Sequence, residues 1–205
     1  MAQRGGTPTT IDGRMVKEST YDAFLAGRAI DVPLMVGWNS YEASLTNAQG
    51  AAADAYTDGS AGAPARFIAA RQASGAPSWL YHFSYVTPTA REGSRGAAHA
   101  SEITYVFGNA RLSPHPEDQA MSTLMRSCWV AFAKAGKPAC ASGPAWPAYT
   151  AASDQLMEFG VASGVRTNFR KAQLDAATER QLESAAGASG GRGAAASSTR
   201  PRVAN

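Results

Sequence analysis

Two cysteines and three histidines are all that 205 residues supply of the side chains that most often hold transition metals. They are scattered without ligand spacing, so no metal site is expected, and no motif calls for an organic cofactor. No run approaches the roughly 20 apolar residues that a membrane span requires. Charge is sparse too, at 17% of residues with a formal net of +3. After Glu183 the tail holds Arg192, Arg200 and Arg202 and no acid, so it carries the whole excess and the body is neutral. A neutral body gives no electrostatic footprint for nucleic acid, and three scattered arginines are too few for a polybasic membrane anchor. Residues 1–10 are polar and Gly/Thr-rich, without the apolar run of a signal peptide. The chain as written is therefore expected in the cytoplasm; a secreted or periplasmic site stays open for a longer parent protein.

What is present suits one domain with a core: 44% apolar residues in a chain of this length. Residues 22–27 read as a short helix ending at Gly27, and 32–37 as a buried strand. Residues 50–64 are rich in Ala, Gly, Ser and Asp and read as a loop or frayed insert. One or two helical turns follow at 66–72. The aromatic and β-branched run 79–86, with Pro77 before it and Pro88 after it, is the clearest strand. The strongest helix is 116–135, with Ser113 as its cap, Pro116 in the first turn and Glu117 and Asp118 at its positive end. Met121, Leu124, Met125, Cys128 and Phe132 share one face, and Gly136 and Pro138 end it. A third strand is read at 156–160 and a helix at 169–185. Residues 1–10 and 186–205 are expected to be disordered, because Gly/Ala/Ser/Arg composition buries little apolar area. Cys128 and Cys140 read as one half-buried thiol and one loop thiol, with a disulfide as the alternative. Helices between strands point to an open α/β sheet, and only three strands suggest part of a larger one.

Two segments carry candidate chemistry. In Val32-Pro33-Leu34-Met35-Val36-Gly37-Trp38-Asn39-Ser40-Tyr41-Glu42, an acid stands just past a strand. In Gly96-Ala97-Ala98-His99-Ala100-Ser101-Glu102, a histidine stands in a loop of small residues. Acyl transfer needs a nucleophile, a base to take its proton and an acid to orient the base. Glu42 and His99 have the types and the order of the last two. Taken singly, they read as a surface carboxylate and a loop histidine; the signal is the pair, placed past strands in the right order.

These segments resemble the C-terminal part of the type B carboxylesterases, the group that includes para-nitrobenzyl esterases and cholinesterases. The resemblance extends through Tyr81-His82-Phe83, the run Glu102 … Phe107-Gly108, the run Trp129-Val130-Ala131-Phe132-Ala133-Lys134-Ala135-Gly136-Lys137-Pro138, and Trp146-Pro147-Ala148-Tyr149. It implies the C-terminal part of an α/β-hydrolase fold over residues 11–185, an incomplete mixed sheet with flanking helices. It also implies Glu42 as triad acid, His99 as triad base, a small carboxylic ester as substrate and no cofactor. Glu102 matches a family acid near the site, although local pairing in a helix or loop accounts for it as well.

The family's serine elbow has no counterpart here, so the chain alone is expected to be inactive. Gly187-Ala188-Ser189-Gly190-Gly191 fits Gly-x-Ser-x-Gly but lacks the strand-turn-helix setting the elbow depends on. Asp58-Gly59-Ser60-Ala61-Gly62 lacks the first glycine and follows the acid. His82 reads as a strand-edge residue, His115 as a pre-helix loop residue, and Trp129, Phe132 and Trp146 as core or interface aromatics. The alternative function is a non-catalytic interaction protein derived from the same fold, self-associating through an unpaired sheet edge. The ester preference is not encoded in these segments.

Overall fold

Strand β2 (Ser78–Phe83) lies between two parallel neighbours, β1 (Leu34–Asn39) and β3 (Gln155–Phe159). Strand β4 (Gly164–Thr167) joins β3 antiparallel, giving the order β1-β2-β3-β4. The structure, a computed structural model, describes residues 10–72, 75–109 and 111–195, with side chains through 184. The expected disorder of 1–9 and 196–205 lies outside the described residues.

Successive side chains of a strand point to opposite faces, and β2 is buried on both. Trp79 and Phe83 join Met157 and Phe159 of β3 on one face. Leu80 joins Trp38 of β1 and Leu156 of β3 on the other. The first face is covered by α5 (Glu102–Phe107) and α6 (Pro116–Ala135), through Tyr105, Met121, Met125 and Cys128. The second is covered by α3 (Ala63–Gln72) and α7 (Lys171–Ala195), through Ala63, Ala65, Ala69, Leu174 and Ala177. The chain therefore crosses from β1 to β2 on one side and from β2 to β3 on the other, as a parallel sheet with two covered faces requires. Trp129, Phe132 and Trp146 pack against the first core, and the Trp146 indole donates to the Leu80 carbonyl at 3.1 Å.

Several expectations are corrected. Residues 51–64 of the 50–64 segment are helical: α2 (Ala51–Thr57), a π turn (Asp58–Gly62) and the start of α3. Alanine favours the helix, and the π turn falls just before Pro64, which has no N–H for a regular ladder. Tertiary contacts fix it there. A Cβ on Gly62 would lie 2.8 Å from Leu174, and Arg170 grips both oxygens of buried Asp58 at 2.7 Å. Among the described residues the sheet has four strands, not three, because β4 pairs with β3. His82 is not at a strand edge, since β3 pairs on the far side of β2 and buries it. At α6, His115 rather than Ser113 is the cap: its ring accepts the Glu117 N–H at 3.2 Å, and Ser113 Oγ accepts the His115 N–H at 3.1 Å. Cys128 and Cys140 are not thiols but a disulfide, their Cα atoms 4.3 Å apart, because the loop after α6 folds back onto the helix. Helix α7 spans Lys171–Ala195. Once Leu174 and Ala177 have docked its first turns, each further residue adds a hydrogen bond without a new nucleation cost.

The β3–β4 hairpin also holds a charge cluster. Glu158 lies 3.7 Å from the buried His82 ring, too far for a hydrogen bond, and accepts from Ser84 Oγ at 2.6 Å and Arg166 Nε at 2.8 Å. His82, then Ser84 and Arg166, pull its carboxyl down to about 2 against the burial that opposes them. A depressed carboxyl stabilises the fold above its ordinary value of 4.5, and that contribution is lost as pH falls toward 2. Glu158→Gln should lower the urea midpoint at pH 7 and flatten the acid limb of the stability curve between these values. Parallel pH profiles for the two proteins would contradict this.

Candidate functional site

Because β1 and β2 run parallel, the segments that leave their carboxyl ends emerge on the same edge of the sheet. β1 ends at Asn39, and after Ser40 and Tyr41 a 3₁₀ turn (Glu42–Leu45) begins. β2 ends at Phe83, and the chain returns at residues 96–101 before entering α5. The two segments are then stitched together. The Ala97 N–H donates to Ser40 Oγ at 2.8 Å, the Tyr41 N–H to the Ala97 carbonyl at 2.9 Å, and the His99 N–H to Ser44 Oγ at 2.9 Å. Tyr41 and Ala98 form a parallel bridge that prolongs the strand pairing.

The stitching brings Glu42 and His99 together. His99 Nδ1 is hydrogen-bonded to Glu42 Oε2, and Glu42 Oε1 accepts the Asn39 N–H at 2.8 Å. Both oxygens of the acid are thus engaged. The Glu42 side chain is 11% exposed and that of His99 50% exposed, so a shielded carboxylate holds a ring that solvent still reaches. Glu102 is not hydrogen-bonded to His99; its Oε2 accepts from Asn39 Nδ2, which also donates to the Ala98 carbonyl at 2.7 Å. Burial pushes the nearby Tyr81 phenol up, and the carboxylates of Glu102 and Glu42 push it further.

Helix α5, which follows the histidine, is anchored from behind. Asp118 of α6 accepts from Tyr105 at 3.1 Å, Tyr85 at 3.0 Å and Thr87 at 2.7 Å. Burial raises its carboxyl, but these hydroxyls and that of Ser113 outweigh it, and the net shift is downward. Sequence reasoning missed Asn39, Ser40, Ser44 and Asp118. The only hint was an asparagine and a serine at the end of a strand and before an acid.

Among the described residues, no hydroxyl or thiol is hydrogen-bonded to the His99 ring. Ser60 is exposed on the π turn between α2 and α3, and 187–191 lies within the helical span of α7. No group of three or more His, Cys, Asp or Glu among the described residues could hold a metal, and no described helix is long and apolar enough to cross a membrane.

An acid behind a histidine at the carboxyl edge of an α/β sheet is a constellation found on many chemistries, so comparison with known proteins decides the family. Residues 45–177 match the model of the carboxylesterase family. The chain belongs to that family. The matched region contains His99 and Glu102 and begins three residues after Glu42. Para-nitrobenzyl esterase of Bacillus subtilis is 33% identical over 93 residues, 42% of this chain and 18% of that protein. Bovine (Bos taurus) carboxylesterase 4A is 32% identical over 80 residues, 37% of this chain and 14% of that protein. The chain thus spans less than a quarter of these relatives' length. Among solved structures, the Geobacillus stearothermophilus carboxylesterase EST55 superposes with a TM-score of 0.67 at 23% identity, over 82% of this chain and 44% of that one. EstA of Aspergillus niger gives 0.68 at 19% identity, over 84% and 44%. The fold is that of carboxylesterases, a partial mixed α/β-hydrolase sheet with its flanking helices.

The histidine loop needs a glycine. Gly96 has φ +142°, and a Cβ there would lie 2.6 Å from Ser40 Oγ, the acceptor that holds Ala97. Gly96→Ala should cost roughly 1–3 kcal/mol and shift the amide resonances of 97–99 by breaking the stitch. Unchanged stability and unchanged His99 resonances would show that the stitch does not hold the loop.

Proposed function

We propose that this chain carries the acid and base of a serine carboxylesterase, with the nucleophilic serine contributed by a polypeptide segment that this sequence does not contain. The observation that carries the reading is the Glu42–His99 hydrogen bond, with the second oxygen of Glu42 fixed by the Asn39 N–H. A base must be held in one tautomer, and an acid must be held still to do so. Family membership supports ester hydrolysis as the reaction.

In this reading His99 Nε2 takes the proton of the serine hydroxyl as its oxygen attacks the ester carbonyl carbon. The tetrahedral intermediate collapses, the alcohol leaves with the proton from His99, and an acyl-enzyme remains. His99 then deprotonates a water, which attacks the acyl carbon; the acid is released and the serine regains its proton. Glu42 holds the imidazole and stabilises its cation without itself taking the proton. The substrate class is a small carboxylic ester. The disulfide supports a compartment that keeps such bonds oxidised.

The test is a chimera in which residues 11–185 replace the corresponding segment of the Bacillus subtilis relative. The chimera should hydrolyse p-nitrophenyl esters, and His99→Ala and Glu42→Gln should each lower kcat on the order of 10³-fold or more. The chain alone should neither release p-nitrophenol nor be labelled by a fluorophosphonate. Full activity with alanine at 99 would overturn the reading. A second reading, a non-catalytic interaction protein, is favoured by the edge of β1, which among the described residues has a partner strand on one side only. An active chain-derived chimera that needs His99 decides against it.

A further inference from the structure

We infer that Asn39 is the positioning residue of this site: one side-chain amide anchors both flanks of His99. The inference rests on the acid–base reading above and deepens it. Asn39 is 2% exposed at the end of β1. Its Nδ2 donates to the Ala98 carbonyl, immediately before the histidine, at 2.7 Å, and to Glu102 Oε2, three residues after it. Its backbone N–H goes to Glu42 Oε1 at 2.8 Å. Asparagine has two side-chain N–H donors and one backbone N–H, and all three are used on this site. The amide orientation follows from its partners: a carbonyl and a carboxylate only accept, so the nitrogen faces them.

The pentapeptide 98–102 needs such a clamp. Ala100, at its centre, is in the left-handed region at φ +62°, which disfavours alanine. A loop strained between two anchors stays in place only while both hold. The clamp also separates two acids of like charge. Glu102 is engaged by Asn39 and Glu42 by the imidazole, so His99 meets one carboxylate in one position. Aspartate at 39 would keep the shape but turn the donor into a third carboxylate facing Glu102. Alanine would remove the clamp without adding charge.

The experiment is proton NMR on the full chain, following solvent exchange of the Asn39 side-chain amide and of the His99 Nδ1–H. In the parent protein, the Asn39 amide protons should be protected. Asn39→Ala should speed exchange of the His99 Nδ1–H roughly tenfold, as expected for loss of a charge-assisted hydrogen bond. Asn39→Asp should speed it more at pH 7, and the two variants should converge as pH falls and carboxyls protonate. A residue that only filled space would give no pH-dependent difference between them. The inference is overturned if His99 exchange is the same in all three proteins. If neither variant folds, the parent decides: Asn39 amide protons exchanging like those of a free amide would overturn it too. The acid–base reading fails separately, through a chimera indifferent to His99→Ala, whatever the amide protons do.

Discussion

Parallel pairing of β1 with β2 is the constraint on which the rest of the site depends. In a parallel pair both chains leave the sheet on the same side, and open α/β sheets place their chemistry at that carboxyl edge. Here the register runs from Leu34 opposite Ser78 to Asn39 opposite Phe83. The pairing does not stop at the strand ends. Ser40 donates its N–H to the Phe83 carbonyl at 2.9 Å, and Tyr41 goes on to pair with the returning loop at Ala97 and Ala98. The acid and the histidine are 57 residues apart in the chain. They meet because backbone hydrogen bonds on both sides of them leave little other arrangement.

The carboxylates of Asp118, Glu158, Glu102 and Glu42 are shielded from solvent, and each is balanced differently. Asp118 is surrounded by hydroxyls and ties α6 to the helix behind the histidine. Glu158 sits among a histidine, a serine and an arginine and closes the β3–β4 hairpin. Glu102 takes the Asn39 amide. Glu42 takes a backbone N–H and an imidazole. A buried charge left without partners is costly. The same polar contacts that set Glu42 against His99 are therefore what allow a carboxylate to lie at the strand ends.

Much of this was readable in the sequence where the signal was local. Helix α6 was legible from its first turn, its apolar stripe and Gly136, and β2 from its aromatic run between prolines. Glu42 and His99 were legible as a pair because each follows a strand. The failures are non-local. The 50–64 segment looked like a loop because its helix is built from alanine and glycine. What holds it, Leu174 against Gly62 and Arg170 on Asp58, comes from more than a hundred residues away. β4 has four residues and a single bulky apolar side chain, too little for a pattern. Asn39 was invisible as a clamp because its partners lie 59 and 63 residues further on. The cysteine pair could not be assigned from spacing, since bond formation depends on distances that only the fold sets.

In the proposed reading, Glu42 fixes His99 in the one neutral tautomer that leaves Nε2 free to accept a proton. Nitrogen-15 NMR of the His99 ring tests it directly, because protonated and bare ring nitrogens resonate far apart. In the parent protein the neutral ring should carry its proton on Nδ1 and leave Nε2 bare, with that preference lost in Glu42→Ala. A proton on Nε2 in the parent protein, or a mixture of tautomers that ignores Glu42, would contradict it.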